Sequence, residues 1–162
     1  FDLLIKTSEK LPKNVGVYIV GGTPTDEYVN LKKSLNLQNL HFVEHLDKES
    51  LKKYYKASDM CIFPTRYDIW GLIVVEALGY GLPIITTDQC VAGLEIVKDG
   101  YNGFIVPAND SEALSQKMLE VLSTNWITEK TQENVINSIK DYTIENMAKE
   151  YYQVFEKLVK DE

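Results

Sequence analysis

An α/β fold built on a parallel sheet is what this chain predicts, and three observations predict it. Five short apolar runs of β character recur, at residues 15–20, 40–43, 60–63, 83–86 and 104–106. Stretches with helical spacing separate them, such as Tyr28, Leu31 and Leu35 or Leu51, Tyr54 and Tyr55. Each of the first four runs leads into a glycine-containing or polar loop: Gly21-Gly22, Glu44-His45-Leu46, residues 64–68 and residues 87–93. Strands alternating with helices at this pitch give parallel strands covered on both faces. Right-handed crossovers then produce a Rossmann-like wrap, with ligands bound beyond the carboxyl ends of the strands. The four loops should therefore meet on one rim.

In chain order, Asp2 to Lys6 opens a short helix that must end before Pro12. Residues 15–20 form a strand closed by the glycine pair, and residues 26–35 form the next helix. After the strand at 40–43, Asp47 starts a helix whose inner face is Leu51, Tyr54 and Tyr55, ending near Ala57-Ser58. The strand at 60–63 runs into a second apolar helix, and Pro83 opens the next strand. Residues 93–97 allow one or two helical turns before the last strand at 104–106. Asp110 caps an amphipathic helix carrying Leu114, Met118, Val121 and Leu122. Residues 125–139 are moderately helical. Ile144, Met147, Ala148, Tyr151, Phe155, Leu158 and Val159 then make a helical stripe that either packs on the chain's own sheet or stays uncovered.

Composition narrows the function classes. A length of 162 residues suits one domain with a sizeable core. A net charge of −7 argues against nucleic acid, whose phosphates call for a basic face, and gives no basic patch broad enough for an anionic membrane surface. Two cysteines, Cys61 and Cys90, read as small apolar residues of a reducing compartment. No run is long enough to span a bilayer. No metal-ligand set is visible; His41 and His45 are separated by a strand end rather than sharing a helix face.

The chemistry concentrates in residues 64–78, Pro-Thr-Arg-Tyr-Asp-Ile-Trp-Gly-Leu-Ile-Val-Val-Glu-Ala-Leu. Leu72, Ile73, Val74, Val75, Ala77 and Leu78 surround Glu76 on every side, which predicts a core helix with one carboxylate inside it. Such a carboxylate needs donors, and ligand hydroxyls would serve. Asp68 lies just before the helix. Between the acids, Trp70-Gly71-Leu72 open the helix with amides that have no intrahelical partner and face the positive end of the dipole. Gly71 is expected to let a ligand approach the backbone. A molecule with phosphates and many hydroxyls, a sugar nucleotide, fits all three features.

These residues resemble the signature of retaining glycosyltransferases of the two-Rossmann-domain (GT-B) type, family 4. The matching parts are Pro64-Thr65, Asp68, Trp70-Gly71-Leu72, Glu76-Ala77, Gly81-Leu82-Pro83-Ile84 and the turn Asp99-Gly100-Tyr101-Asn102-Gly103-Phe104. The resemblance runs from Phe1 to about residue 122 and implies the carboxy-terminal, donor-binding half of a GT-B fold, with additional carboxy-terminal helices. By resemblance, Glu76 accepts hydrogen bonds from both ribose hydroxyls. Asp68 stands where the family's first acid contacts the transferred sugar; capping the following helix is its rival role. Backbone amides of Ile69, Trp70, Gly71 and Leu72 are the candidates for the diphosphate, with the Trp70 ring packing rather than stacking on a base. Gly22, with Gly21, resembles the glycine turn near the donor, and a plain turn is the competing reading. His45 and Leu46 lie where backbone contacts the nucleobase, the His45 side chain being an ordinary loop histidine. Thr65 replaces the commoner serine of the turn, and Val91 a common glycine.

The resemblance further implies a UDP- or GDP-sugar as donor substrate, no permanently bound cofactor or metal, and a glycan or glycolipid acceptor held by an amino-terminal domain. Residues 1–141 would be the nucleotide-sugar-binding domain lacking its first strand, and residues 142–162 a terminal helix packing back toward the missing domain. Transfer with retention, in polysaccharide, lipopolysaccharide or glycolipid biosynthesis, would occur in the cytoplasm, with the full-length enzyme peripheral to the inner membrane face. The fragment alone would have little or no activity. Two other readings stay open: a non-catalytic regulatory nucleotide-binding module, and another GT-B enzyme such as a sugar-nucleotide epimerase or glycogen-type synthase.

Overall fold

Strands and helices alternate as far as the last strand, which three successive helices follow, and the computed structural model describes residues 1–160. The elements are α1 (Asp2–Ser8), β1 (Val17–Val20), α2 (Asp26–Ser34), β2 (Leu40–Val43), α3 (Lys48–Ala57), β3 (Cys61–Phe63), α4 (Leu72–Gly79) and β4 (Ile84–Thr87). They continue with α5 (Val91–Ile96), β5 (Gly103–Val106), α6 (Ser111–Ser123), α7 (Glu129–Ile139) and α8 (Ile144–Lys160). Polar caps set several starts as the sequence predicts. Asp47 accepts from the Ser50 amide at 2.7 Å, and Asp110 from the Ala113 amide at 2.9 Å.

All strand pairs are parallel, but they form two ladders rather than the one sheet expected: β1–β2, and β3–β4–β5. Among the described residues, β1 and β3 exchange no ladder bonds. Packing holds the two ladders together instead. Val17, Ile19 and Leu40 share one core with Ile85, Phe104 and Val106, beneath Leu3, Leu4 and Ile5 of α1 and Leu114, Met118 and Val121 of α6. The opposite face of the larger ladder is covered by Val74, Ala77 and Leu78 of α4, Ala92 and Ile96 of α5 and Val135 of α7. Adjacent strand residues therefore feed different cores, Ile84 one and Ile85 the other, as the pleat demands. Gly103 pairs with Ile84, where a Cβ would meet the Ile84 carbonyl oxygen at 2.2 Å.

Three expectations are corrected. The α4 helix is not apolar-buried all round: Val74, Ala77 and Leu78 are buried, while Leu72, Ile73 and Glu76 are exposed. An eight-residue helix laid on one face of a sheet has one packed side, whatever its composition. The helix expected at 93–97 begins two residues earlier, at Val91. The segment from residue 125 is helical only from Glu129; before that, the Trp126 ring packs on Phe104 with centroids 4.7 Å apart. Of the two placements open for the terminal stripe, the described residues support the uncovered one, since α8 buries no residue.

Candidate functional site

The loops following β3, β4 and β5 meet at the carboxyl rim and are laced by side chains. Thr86, fully buried, donates through Oγ1 to the Phe63 carbonyl at 3.1 Å, and Thr87 does the same to the Thr65 carbonyl at 2.8 Å. The Thr65 hydroxyl turns back onto the Tyr67 carbonyl at 3.1 Å. Backbone bonds run from the Asp68 amide to the Gln89 carbonyl (2.9 Å) and from the Ala92 amide to the Trp70 carbonyl (2.6 Å). The Asp88 carboxylate accepts from the Ala108 amide at 2.9 Å. Buried backbone groups at strand ends must find partners, and here these side chains provide them.

Arg66, the only arginine in the chain, extends this lacing. Its Nη2 donates to both oxygens of Asp2 at 2.7 and 2.9 Å, and its Nε to Asn109 Oδ1 at 2.7 Å. The guanidinium fork thus ties the β3–α4 loop to the start of α1 and to the loop before α6, a geometry that an ammonium could not reproduce. The same contact holds the Asp2 carboxyl below the usual carboxylate range. Sequence reasoning passed over Arg66; the signal was its rarity beside sixteen lysines.

Asp68 is half-buried, and its Oδ1 accepts from the Trp70 amide at 3.0 Å, a local turn ahead of the helix; α4 itself starts at Gly71 with no side-chain cap, so Asp68 does not fill the rival capping role. One of the four amides named for a diphosphate is therefore occupied. The amides of Ile69, Gly71 and Leu72 donate to no protein atom among the described residues. Gly71 needs correction. It is buried, has φ +96°, and a Cβ there would stand 2.4 Å from Cys90 Sγ. Glycine is required here by the left-handed turn and by close packing on Cys90, rather than to clear the backbone for a ligand, and its amide stays without a protein acceptor among the described residues.

Glu76 is exposed rather than buried, which overturns the buried-carboxylate expectation; its side chain projects from the open side of α4. It accepts a hydrogen bond from the Tyr55 hydroxyl at 3.1 Å. Burial pushes the Cys61 thiol up to about 12, with the Glu76 charge adding to the effect. Trp70 is partly exposed and Ile69 largely so. The other predicted residues stand apart from this cluster in sequence and in contacts. Gly22 is exposed with open space where a Cβ would be, His45 is exposed and Leu46 half-buried, and among the described residues no side-chain hydrogen bond joins any of them to Asp68 or Glu76.

The second motif is architectural. Asn102, fully buried, accepts from the Lys98 amide at 2.7 Å and donates to the Ile96 carbonyl at 3.0 Å; Asp99 accepts from the Ile105 amide at 2.8 Å. These bonds close the turn that starts β5, at the end of the sheet opposite the rim.

With this geometry in place, similarity becomes informative. The family described as glycosyl transferases group 1 matches residues 1–142. An uncharacterized glycosyltransferase of Methanocaldococcus jannaschii is 29% identical, over 95% of this chain and 40% of its own. Sucrose-phosphate synthase of Thermosynechococcus elongatus superposes with a TM-score of 0.83 at 23% identity, covering 99% of this chain and 42% of that one. Anabaena HepE in complex with UDP gives 0.78 at 20%, covering 98% and 44%. The present chain thus spans less than half the length of each. At such identities the structures establish the fold, parallel strands flanked by helices as in the carboxy-terminal domain of GT-B glycosyltransferases. The match takes in the laced rim and both carboxylates, and the chain belongs to the glycosyl transferases group 1 family.

Proposed function

We propose that this chain is the donor-binding domain of a retaining, family 4 glycosyltransferase that takes a sugar from a UDP- or GDP-sugar. The observation that carries the reading is the Glu76 carboxylate, exposed on a helix otherwise built of apolar residues, whose start carries the free amides of Ile69, Gly71 and Leu72. A carboxylate offers two acceptor oxygens to a ribose diol, and fixed amides stabilise a diphosphate as charge builds on departure of the sugar. Asp68, on the same loop, would contact the sugar near its reacting carbon. That one structural neighbour is a complex with UDP supports a nucleotide in this region.

The domain reading follows the same line. Residues 1–141 form the donor domain; one further strand, supplied by sequence outside this chain, completes the sheet between β1 and β3. Each of those strands leaves one edge unpaired among the described residues, which supports the reading. The uncovered stripe of α8 packs on an amino-terminal, acceptor-binding domain whose glycan or glycolipid substrate places the enzyme in polysaccharide, lipopolysaccharide or glycolipid assembly. No helix among the described residues is long and apolar enough to cross a membrane. We place the full-length enzyme in the cytoplasm, peripheral to the inner membrane face.

Calorimetric titration with UDP and GDP, before and after Glu76→Ala, tests the core of the proposal. The expected result is weak binding by the parent chain and at least tenfold weaker binding by the variant, since a charged hydrogen-bond acceptor contributes about 1.5–3 kcal/mol. Equal affinity in both would remove Glu76 from the site. A second reading, a nucleotide-binding module without transfer chemistry, is favoured by one observation: Asp68 already spends an oxygen on the Trp70 amide. Hydrolysis of a UDP- or GDP-sugar by the full-length protein would decide against that module.

A further inference from the structure

Outside the residues already assigned, the side chain that touches the proposed nucleotide site most directly is Tyr55. It sits in the last turn of α3, on a different element from either acid, and no signature motif includes it. Its hydroxyl donates to Glu76 Oε2 at 3.1 Å. Its ring stacks on Tyr80, centroids 5.1 Å apart and planes 15° from parallel, so the hydroxyl approaches Glu76 from a fixed direction. Tyr55 is half-buried, whereas the carboxylate that it holds is exposed.

We propose that Tyr55 is a positioning residue for nucleotide binding: its hydroxyl fixes one oxygen of Glu76 and so aims the other, Oε1, at the vicinal diol of a nucleoside diphosphate. The inference rests on the nucleotide reading above. A glutamate on an open helix face has three rotatable bonds, and ordering it on binding opposes association. One hydrogen bond from a ring that cannot swing removes much of that freedom beforehand. The carboxylate keeps enough acceptor capacity, because an ionised carboxyl offers about four lone-pair sites and the tyrosine uses one. Tyr55 also remains a neutral donor throughout the physiological range. Burial first, then the Cys61 thiol and the Glu76 carboxylate, raises its ionisation above that of an ordinary tyrosine.

Tyr55→Phe deletes the hydroxyl and keeps the ring on Tyr80, so the fold is expected to survive; thermal melting checks that. UDP and GDP are titrated into the parent chain, Tyr55→Phe and Glu76→Ala. The expected result is about fivefold weaker binding in Tyr55→Phe, within the larger loss caused by Glu76→Ala. Unchanged or tighter binding in Tyr55→Phe, with Glu76→Ala still impaired, overturns the positioning role and leaves the nucleotide site standing. Tighter binding would mean that the tyrosine competes with the diol. Equal binding by Glu76→Ala and the parent overturns both.

A second readout separates positioning from folding. In the Glu76→Ala background Tyr55→Phe should weaken UDP binding no further, because the oxygen it positions is gone; a full additional loss there would overturn the positioning role.

Discussion

Helices α6 and α8 both gather apolar residues on one face, and they end in opposite environments. In α6, Leu114, Met118 and Val121 are 0, 7 and 3% exposed, wedged beneath both ladders. In α8, Ile144, Tyr151, Phe155 and Leu158 are 76, 58, 60 and 62% exposed. The periodic signal is as clear in the second as in the first. Periodicity defines which side of a helix is apolar; it does not supply the surface that covers it. In α6 that surface lies in the same chain, reached by the short loop from β5. In α8 it does not. Helix α4 is the intermediate case, with one side packed on Ile84 and Val135 and the other open to solvent around Glu76.

The contrast breaks most visibly at Leu114. Leu114→Ala should cost about 2–5 kcal/mol, the range for removing a fully buried leucine from a packed core. Urea unfolding followed by circular dichroism measures it, with the slope expected to be unchanged. A cost below about 1 kcal/mol would mean that the core around α6 collapses into the cavity, and that α6 is held less firmly than its burial states.

Gly71→Ala sharpens the intermediate case. The new methyl would press on Cys90 Sγ, and the residue would be forced to keep φ +96°. A loss on the order of 2 kcal/mol is expected from strain and crowding together. Because the sulfur is half of the clash, Cys90→Ala in the Gly71→Ala background should recover part of that loss, and a double-mutant cycle reads the coupling. Additive costs would show that backbone strain alone excludes alanine.

Much of this was legible in the sequence, and the residues show why the remainder was not. Every strand lies within one or two residues of its predicted position, since short apolar runs between turn residues have one reading in an alternating fold. Asp47 and Asp110 cap where expected because capping is a local interaction. Long-range facts were hidden. The exposed side of α4 could not be inferred from a stretch in which only Glu76 is polar. Part of the requirement for glycine at position 71 comes from Cys90, nineteen residues away in sequence. Arg66 finds its partners at Asp2 and Asn109, and Tyr55 finds Glu76, across separations that no periodicity reports. At the candidate site, the two acids and the helix start could be picked out in the sequence, whereas the Tyr55 hydroxyl that contacts Glu76 could not.

The smallest expected effect is at Phe155. Sixty per cent of its surface faces solvent, its nearest aromatic neighbour is Tyr151 on the same helix, and α8 buries no side chain. Phe155→Ala should therefore change the stability of this chain by no more than about 0.5 kcal/mol, the usual scale for a surface substitution, although the same change in a core costs about 3–5 kcal/mol. Two outcomes separate cleanly in the same urea titration. A shift within 0.5 kcal/mol fixes α8 as a helix whose apolar side is not used by the domain that carries it. A loss of 2 kcal/mol or more would place Phe155 against the body of the domain in solution, and the difference between α6 and α8 would vanish. Repeating the substitution in a longer protein that contains the proposed amino-terminal domain carries the comparison one step further. If that domain covers the stripe, the cost of Phe155→Ala should rise toward the core value there and nowhere else, because only then does the ring exchange water for packed apolar atoms.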